Sequence, residues 1–308
     1  MEASKSGAQM AKQNIHGRGR LSGHEVKQAI ARALAAHQAG RLDEAEVLYR
    51  ALLAEDKKQV QVLQMLGLLT AQRGRYDESE GLLRDALRLK PNEAGWQFNY
   101  GNVLVALGRF DDAMAAFDKT LALNPRFADA YLNRGGLLIR QKRFADAVAC
   151  FDAAIAINPA YAAAHSNRGY SLEELKRFDD ALASHGTAVS LEPRRADFLA
   201  ARANVLHKLK RFDEALTDIA QALALAPGNA ELLYNRGNIL YELKRYEEAF
   251  AAYDAAYQRD SRLEFLEGDR LFTKLLICDW TQWEAETFHL ATEIASGRPA
   301  SRPFSFLP

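Results

Sequence analysis

The chain has 308 residues, 48% hydrophobic and 26% charged, with 40 basic side chains against 40 acidic ones and two cysteines. This globular composition excludes wholesale disorder, a collagen-like chain and a disulfide-stapled scaffold, and a formal net charge of zero supplies no whole-molecule field to attract nucleic acid or an anionic membrane. Cys150 and Cys278 form no CxxC pair, so neither a metal knuckle nor a disulfide framework is expected, and a reducing cytoplasm is the default compartment.

Residues 1–21 carry Lys5, Lys12, Arg18 and Arg20 without an apolar core, so they do not read as a secretory signal and are expected to form a disordered tail. Ser22 with Glu25 makes a capping-box signature, and the ordered chain is expected to begin there. Pro91, Pro125, Pro159, Pro193 and Pro227 then follow at intervals of 34 residues, a fixed period that names an architecture before any local propensity does. With each proline at position 32, the frame is 26–59, 60–93, 94–127, 128–161, 162–195, 196–229 and 230–263, seven units in all. Position 8 is small (Ala33, Gly67, Gly101, Gly135, Gly169, Ala203, Gly237), and so is position 20 (Ala45, Ser79, Ala113, Ala147, Ala181, Ala215, Ala249). Position 17 is large throughout, from Leu42 and Tyr76 to Phe212 and Tyr246, and position 24 is mostly large, departing at His185.

Each unit therefore reads as a helix, a short turn, a second helix and a proline that stops it, with second helices ending near Asn124, Asn158, Glu192 and Ala226. Asp77, Asp111, Asp179 and Asp213 open the second helices, where a carboxylate complements the dipole or caps the amides. One such hairpin cannot bury its apolar face alone, so stacking is required and the fold is an all-α solenoid. The pattern resembles the tetratricopeptide repeat over residues 26–263. The resemblance implies a right-handed superhelix whose first helices line a concave groove through positions 2, 5, 6, 9, 12 and 13.

Position 6 carries Asn99, Asn133, Asn167 and Asn235, and position 9 adds Asn102, Asn204 and Asn238. A side-chain amide both donates and accepts, so a column of them can pair with peptide groups whatever side chains those peptides bear. Phe98, Tyr170, Tyr234 and Tyr241 would add aromatic contact to this peptide-binding groove. The alternative is that the asparagines tie adjacent repeats together through backbone groups. Position 7 is Arg134, Arg168, Arg202 and Arg236, expected to pack between helices and pair with carboxylates such as Asp152 or Asp254, or else to bind acidic partners. The lysine-bearing carboxylate clamp of chaperone adaptors is absent, since position 5 reads Phe98, Leu132, Ser166, Ala200 and Tyr234.

The seven histidines show no metal-ligand spacing, and His185 falls at a core position. No nucleophile elbow, phosphate loop or dinucleotide fingerprint occurs, so no catalytic residue, metal or cofactor is expected in this chain. After Leu263 the 34-residue rule is expected to break. A C-terminal helical cap over 264–297 follows, with a capping box at Thr281 and Glu284 and a stop at Gly297, and then an extended exit segment, 298–308. The apolar end Phe304-Ser305-Phe306-Leu307-Pro308 either tucks back or continues outward.

The stretch Leu275-Leu276-Ile277-Cys278-Asp279-Trp280 and the helix after it resemble the region joining repeats to catalytic lobes in bacterial O-linked N-acetylglucosamine transferases, glycosyltransferase family 41. That resemblance implies a substrate-recognition arm whose catalytic residues have no matching positions here, and a glycosyltransferase catalytic domain as a partner. The expected partners are otherwise client proteins or extended peptides, with neither nucleic acid nor a membrane; a free-standing adaptor is the other reading.

Overall fold

The computed structural model describes residues 22–301, and every regular element among them is an α-helix. In chain order these are α1 (Gly23–Gln38), α2 (Leu42–Glu55), α3 (Val60–Gln72), α4 (Tyr76–Leu89), α5 (Ala94–Ala106), α6 (Phe110–Leu123), α7 (Ala128–Arg140) and α8 (Phe144–Ile157). There follow α9 (Ala162–Glu174), α10 (Phe178–Leu191), α11 (Ala196–Lys208), α12 (Phe212–Leu225), α13 (Ala230–Glu242), α14 (Tyr246–Arg259), α15 (Leu266–Leu276) and α16 (Trp283–Ala295). The expected tail, residues 1–21, and most of the expected exit segment, 302–308, lie outside the described residues. Contacts divide the chain into two units, one ending at Gln141 and the other beginning at Lys142, a division the seven-unit reading of the sequence did not contain.

Within each unit helices pack on their neighbours in chain order, as a solenoid requires. The prolines act as expected, because the residue before each cannot remain helical. Asn124, Asn158, Glu192 and Ala226 are the C-caps of α6, α8, α10 and α12. Ser22 and Glu25 form the reciprocal capping box that starts α1. The aspartates that open the second helices provide no cap; the N-cap is an arginine in every case, and its side chain cannot accept a bond from an amide. Those arginines pair instead with the acid three residues on, as in Arg109–Asp112, Arg177–Asp180 and Arg211–Glu214. The aspartates keep only their favourable place at the positive end of the dipole.

The inter-helix turn needs one residue in the left-handed region. Gly40, Gly74 and Gly108 supply it in the first unit (φ 73°, 73° and 72°), whereas Lys142, Lys176, Lys210 and Lys244 hold it in the second (φ 57°, 62°, 60° and 59°). Small position 8 is explained by contact with position 24. A Cβ on Gly101 would lie 2.6 Å from the Phe117 ring, and one on Gly237 would lie 2.4 Å from Tyr253. The core follows from this close approach: Tyr49, Leu52, Leu66 and Leu69 are at most 1% exposed. Burying each such side chain is worth roughly 1.5–3 kcal/mol.

The C-terminal region corrects three expectations. First, the 34-residue count survives Leu263: Cys278 takes position 15 with φ 55°, and Asp279 N–H donates to Lys274 O (3.1 Å) as Arg211 N–H does to Leu206 O (2.9 Å). The Cys-Asp-Trp motif is thus an inter-helix turn of the repeat kind. Second, Thr281 does not cap the following helix; its N–H and hydroxyl both donate to Asp279 Oδ1 (2.9 and 2.7 Å), and the N-cap of α16 is Gln282 at φ 56°. The competing Asx turn at Asp279 captured the threonine. Third, the segment after Gly297 begins by folding back, with Phe265 N–H donating to Pro299 O (2.7 Å), Gly268 N–H donating to Ala300 O (2.8 Å), and Ala300 only 3% exposed.

Candidate functional site

Successive first helices touch one another within each unit, α1 with α3 and α3 with α5 in the first, α9 with α11 and α11 with α13 in the second. They therefore occupy the inner side of each unit, and their asparagines share that face. In the first unit Asn133 Nδ2 donates to Asn102 Oδ1 (2.7 Å). Asn99 is half-buried, and Phe98 stacks into the core against Phe117 and Phe127, with ring centroids 5.8 and 4.8 Å away. In the second unit Asn235 Nδ2 donates to Asn204 Oδ1 (3.2 Å), and Asn204 is exposed. Asn167 is half-buried, and Tyr170 beside it is 44% exposed, edge-on to Phe144.

The asparagines do join neighbouring repeats, but through each other's side chains, position 6 of one repeat to position 9 of the repeat before it. One such bond uses one of the two N–H groups of the donor and one lone pair of the acceptor. That bond leaves the second N–H of the donor and the second lone pair of the acceptor unused by it. The pairing thus holds the asparagines in register without exhausting them.

Three of the four arginines at position 7, Arg134, Arg168 and Arg202, are paired, and Arg236 is exposed. Arg134 Nε donates to Asp118 (2.7 Å), Arg168 to Asp152 (2.6 Å) and Ser184 (2.6 Å), and Arg202 makes a two-pronged pair with the buried Asp218 (2.7 and 2.6 Å). Donating to the Asp218 carboxylate holds the Arg202 guanidinium above its usual range. Asp254 pairs with Arg270, which also reaches Glu286 (2.9 Å). Arg270 is position 7 of the C-terminal hairpin, one more sign that the count continues.

At the C-terminal end of the second unit the inner face deepens into a cavity of about 210 Å³. Its walls are Tyr241, Phe272 and the buried Tyr253, with His207 and Asn238 between them and the carboxylates of Glu242 and Asp269 at its lining. Tyr253 OH donates to Asn238 Oδ1 (2.9 Å), which leaves the Asn238 amino group as a donor. Tyr234 OH donates to Asp269 Oδ2 (2.7 Å), so this sequence-predicted aromatic positions a carboxylate. Tyr241 packs on Phe272 and Tyr246, with centroids 6.3 and 5.6 Å away.

Glu242, Tyr253, Asp269 and Phe272 were not anticipated. The last two were legible: counting on by 34 from Asn235 and Asn238 arrives at Asp269 and Phe272. His185 is buried as expected, 1% exposed beneath Gly169, with both ring nitrogens unpartnered. Burial pushes its imidazole down to about 4. Among the described residues no group of three or more His, Cys, Asp or Glu side chains is placed to hold a metal ion, and no helix is long and apolar enough to cross a membrane.

Several solved structures share this fold. A tetratricopeptide repeat protein from Parabacteroides merdae is 20% identical, with a TM-score of 0.61 over 82% of this chain and 99% of its own. Pseudomonas aeruginosa PilF is 21% identical (TM-score 0.58, covering 66% of this chain and 92% of its own). YrrB, described as a TPR protein with an unusual peptide-binding site, is 23% identical (TM-score 0.52, covering 59% and 93%). No curated protein matches the sequence. The tetratricopeptide repeat model matches residues 30–94, 64–125, 98–162, 137–188, 166–230 and 200–263. With its proline period, its left-handed turns and its glycine-to-ring contacts, the chain belongs to the tetratricopeptide repeat family.

Proposed function

We propose that this chain is a protein-binding module that holds extended segments of client polypeptides along its first-helix face. The observation that carries this reading is the pairing of Asn102 with Asn133 and of Asn204 with Asn235, which fixes amides in place while leaving donors and acceptors for a bound backbone. Hydrogen bonds at about 1 kcal/mol net each do not by themselves offset the roughly 4–15 kcal/mol cost of association. Tyr170, Tyr234 and Tyr241 therefore matter as burial partners. Replacing Asn99, Asn133, Asn167 and Asn235 together by alanine is expected to weaken binding of a library of labelled unstructured peptides at least about tenfold while the helical circular dichroism persists. Unchanged peptide binding by that folded variant overturns the proposal.

A finer reading makes the module the substrate-recognition arm of a protein O-GlcNAc-transferase-like system, with a glycosyltransferase catalytic domain as partner. It is supported by the resemblance at Leu275–Trp280 and by Trp280, which is 59% exposed on the turn that carries the motif. Reading the coding DNA beyond Pro308 tests it: a two-lobed α/β pattern in frame favours the transferase, and unrelated sequence favours a free-standing adaptor. The 308-residue chain alone is expected to transfer no sugar in a direct assay. Cys150 is buried and no disulfide joins it to the exposed Cys278, which fits the reducing cytoplasm we propose as its location.

A further inference from the structure

We propose that Arg298 to Ser301 form a strap over the C-terminal hairpin, and that His289 is its pH-sensitive latch, closing the strap more tightly when the imidazole is protonated. The inference stands apart from the peptide-binding reading. No side chain caps the N-terminus of α15, and the strap supplies acceptors instead: Phe265 N–H donates to Pro299 O (2.7 Å) and Gly268 N–H to Ala300 O (2.8 Å). Ala300 is buried in a cluster with Leu271 and Leu290. A Cβ on Gly268 would lie 2.7 Å from Ser301 Cα, so the glycine admits the strap. Inside the stack the corresponding seat is taken by a helix: Leu232 and Ile239 of α13 share a cluster with Ala203 and Ala222, which hold the repeat positions that Leu271 and Leu290 hold in the C-terminal hairpin. Four residues stand here in place of a helix, so the strap depends on a small number of contacts.

A closed ring of charges fastens it. Arg298 of the strap pairs with Glu293 of α16 and lies 3.6 Å from Glu267 of α15. His289 joins the same two carboxylates from α16, with Nδ1 2.6 Å from Glu267 Oε1 and Nε2 3.8 Å from Glu293 Oε1. A carboxylate only accepts, so Nδ1 carries a proton toward Glu267, and the neutral imidazole turns a bare lone pair toward Glu293. The imidazolium donates from both nitrogens, and its charge balances the second carboxylate of the ring. Glu267 is 3% exposed and its Oε2 accepts no hydrogen bond, so an unbalanced negative charge is costly there. Charges on the neighbouring elements are committed to one another, Arg270 to Asp254 and Glu286, and Lys274 to Glu286. Tyr257 of α14 is in electrostatic reach of Glu267 and Arg298, and burial holds its phenol above the usual range, so it stays neutral. Histidine is the residue type in this ring that changes charge between pH 5 and 8.

The test is amide hydrogen exchange of the full chain at about pH 5.5 and about pH 8, on either side of the histidine range, read by mass spectrometry on the peptide containing Phe265 and Gly268 and corrected for the intrinsic pH dependence of exchange. Protection of that peptide is expected to be about fivefold higher at the lower pH, the upper range for a partly exposed ion pair. His289→Gln keeps a neutral donor and cannot titrate, so its protection should stay at the high-pH level of wild type throughout. Glu293→Gln leaves the backbone contacts of the strap in place and removes one carboxylate of the ring, so it should flatten the response as well. Titrating groups elsewhere are common to all three proteins and cancel in the comparison. Wild-type protection that is equal at the two pH values overturns the proposal, and so does either variant if it keeps the full wild-type response.

Discussion

His185 offers the sharpest quantitative test of how this stack is held together. Position 24 of a repeat sits under the glycine at position 8; Phe117 fills it beneath Gly101, and Tyr253 fills it beneath Gly237 with its hydroxyl satisfied by Asn238. His185 occupies the same place beneath Gly169, but the residue equivalent to Asn238 is Tyr170, and both imidazole nitrogens are left without a partner. Each buried unsatisfied group costs about 1–3 kcal/mol. The ring of Phe117 shows that a phenylalanine fits such a site. His185→Phe is therefore expected to stabilise the chain by about 2 kcal/mol at pH 7.5.

The pH dependence is the more telling part. The imidazole, pushed down to about 4 in the folded chain from 6.5, binds its proton more readily when unfolded. A depressed base draws stability away as pH falls below the unfolded value, and the loss is complete only below the folded one. Between pH 7.5 and 4.5 wild type should lose about 2.5 kcal/mol that the variant does not, at 1.36 kcal/mol per pH unit within that window. Urea unfolding of both proteins at closely spaced pH values gives the difference directly, and other titrating groups cancel. A stability difference that stays constant with pH, or a variant less stable than wild type at pH 7.5, refutes the reasoning.

Two further substitutions probe the turn and the close approach. Lys210→Gly places glycine at φ 60°, as Gly108 already is at φ 72°, and should raise the urea midpoint by the equivalent of up to about 1 kcal/mol; a lowered midpoint would show that the lysine side chain contributes more than its strained backbone costs. Gly237→Ala sets a methyl 2.4 Å from the Tyr253 ring, so thermal unfolding should reveal a loss of about 1–3 kcal/mol. Because Tyr253 also walls the recess, peptide affinity should fall with it, and a neutral outcome on both counts would mean that the ring shifts freely.

Much of the fold was legible because its signals are local and covalent. Proline stops a helix whatever surrounds it, so C-caps at Asn124, Asn158, Glu192 and Ala226 could be placed from sequence. The left-handed lysines were less visible, since lysine has no preference for that region and only its alignment with Gly40, Gly74 and Gly108 betrays the requirement. At the C-terminal hairpin the pattern was obscured because Leu271 and Trp283 replace the small residues at positions 8 and 20 and Cys278 and Asp279 replace the Gly or Lys and the Arg of positions 15 and 16, although Arg270 and Trp280 keep the residue types of positions 7 and 17. The Thr281 capping box failed for a local reason as well: a nearer carboxylate, that of Asp279, reached the threonine first.

The sequence by itself determined the repeat register, the all-helical class and the residues that share the inner face, because period and turn chemistry are written residue by residue. Which of those residues meet was decided by tertiary structure. Asn235 finds Asn204 across 31 residues and Tyr234 finds Asp269 across 35, separations close to one repeat that only the packing of one hairpin on the next can close. The same packing brings Glu242, Asp269 and three aromatic rings around one recess, which no spacing rule names. Hydrogen bonds and cavities depend on where helices approach within a few ångströms, and that distance is set by the whole set of glycine-to-ring contacts acting together.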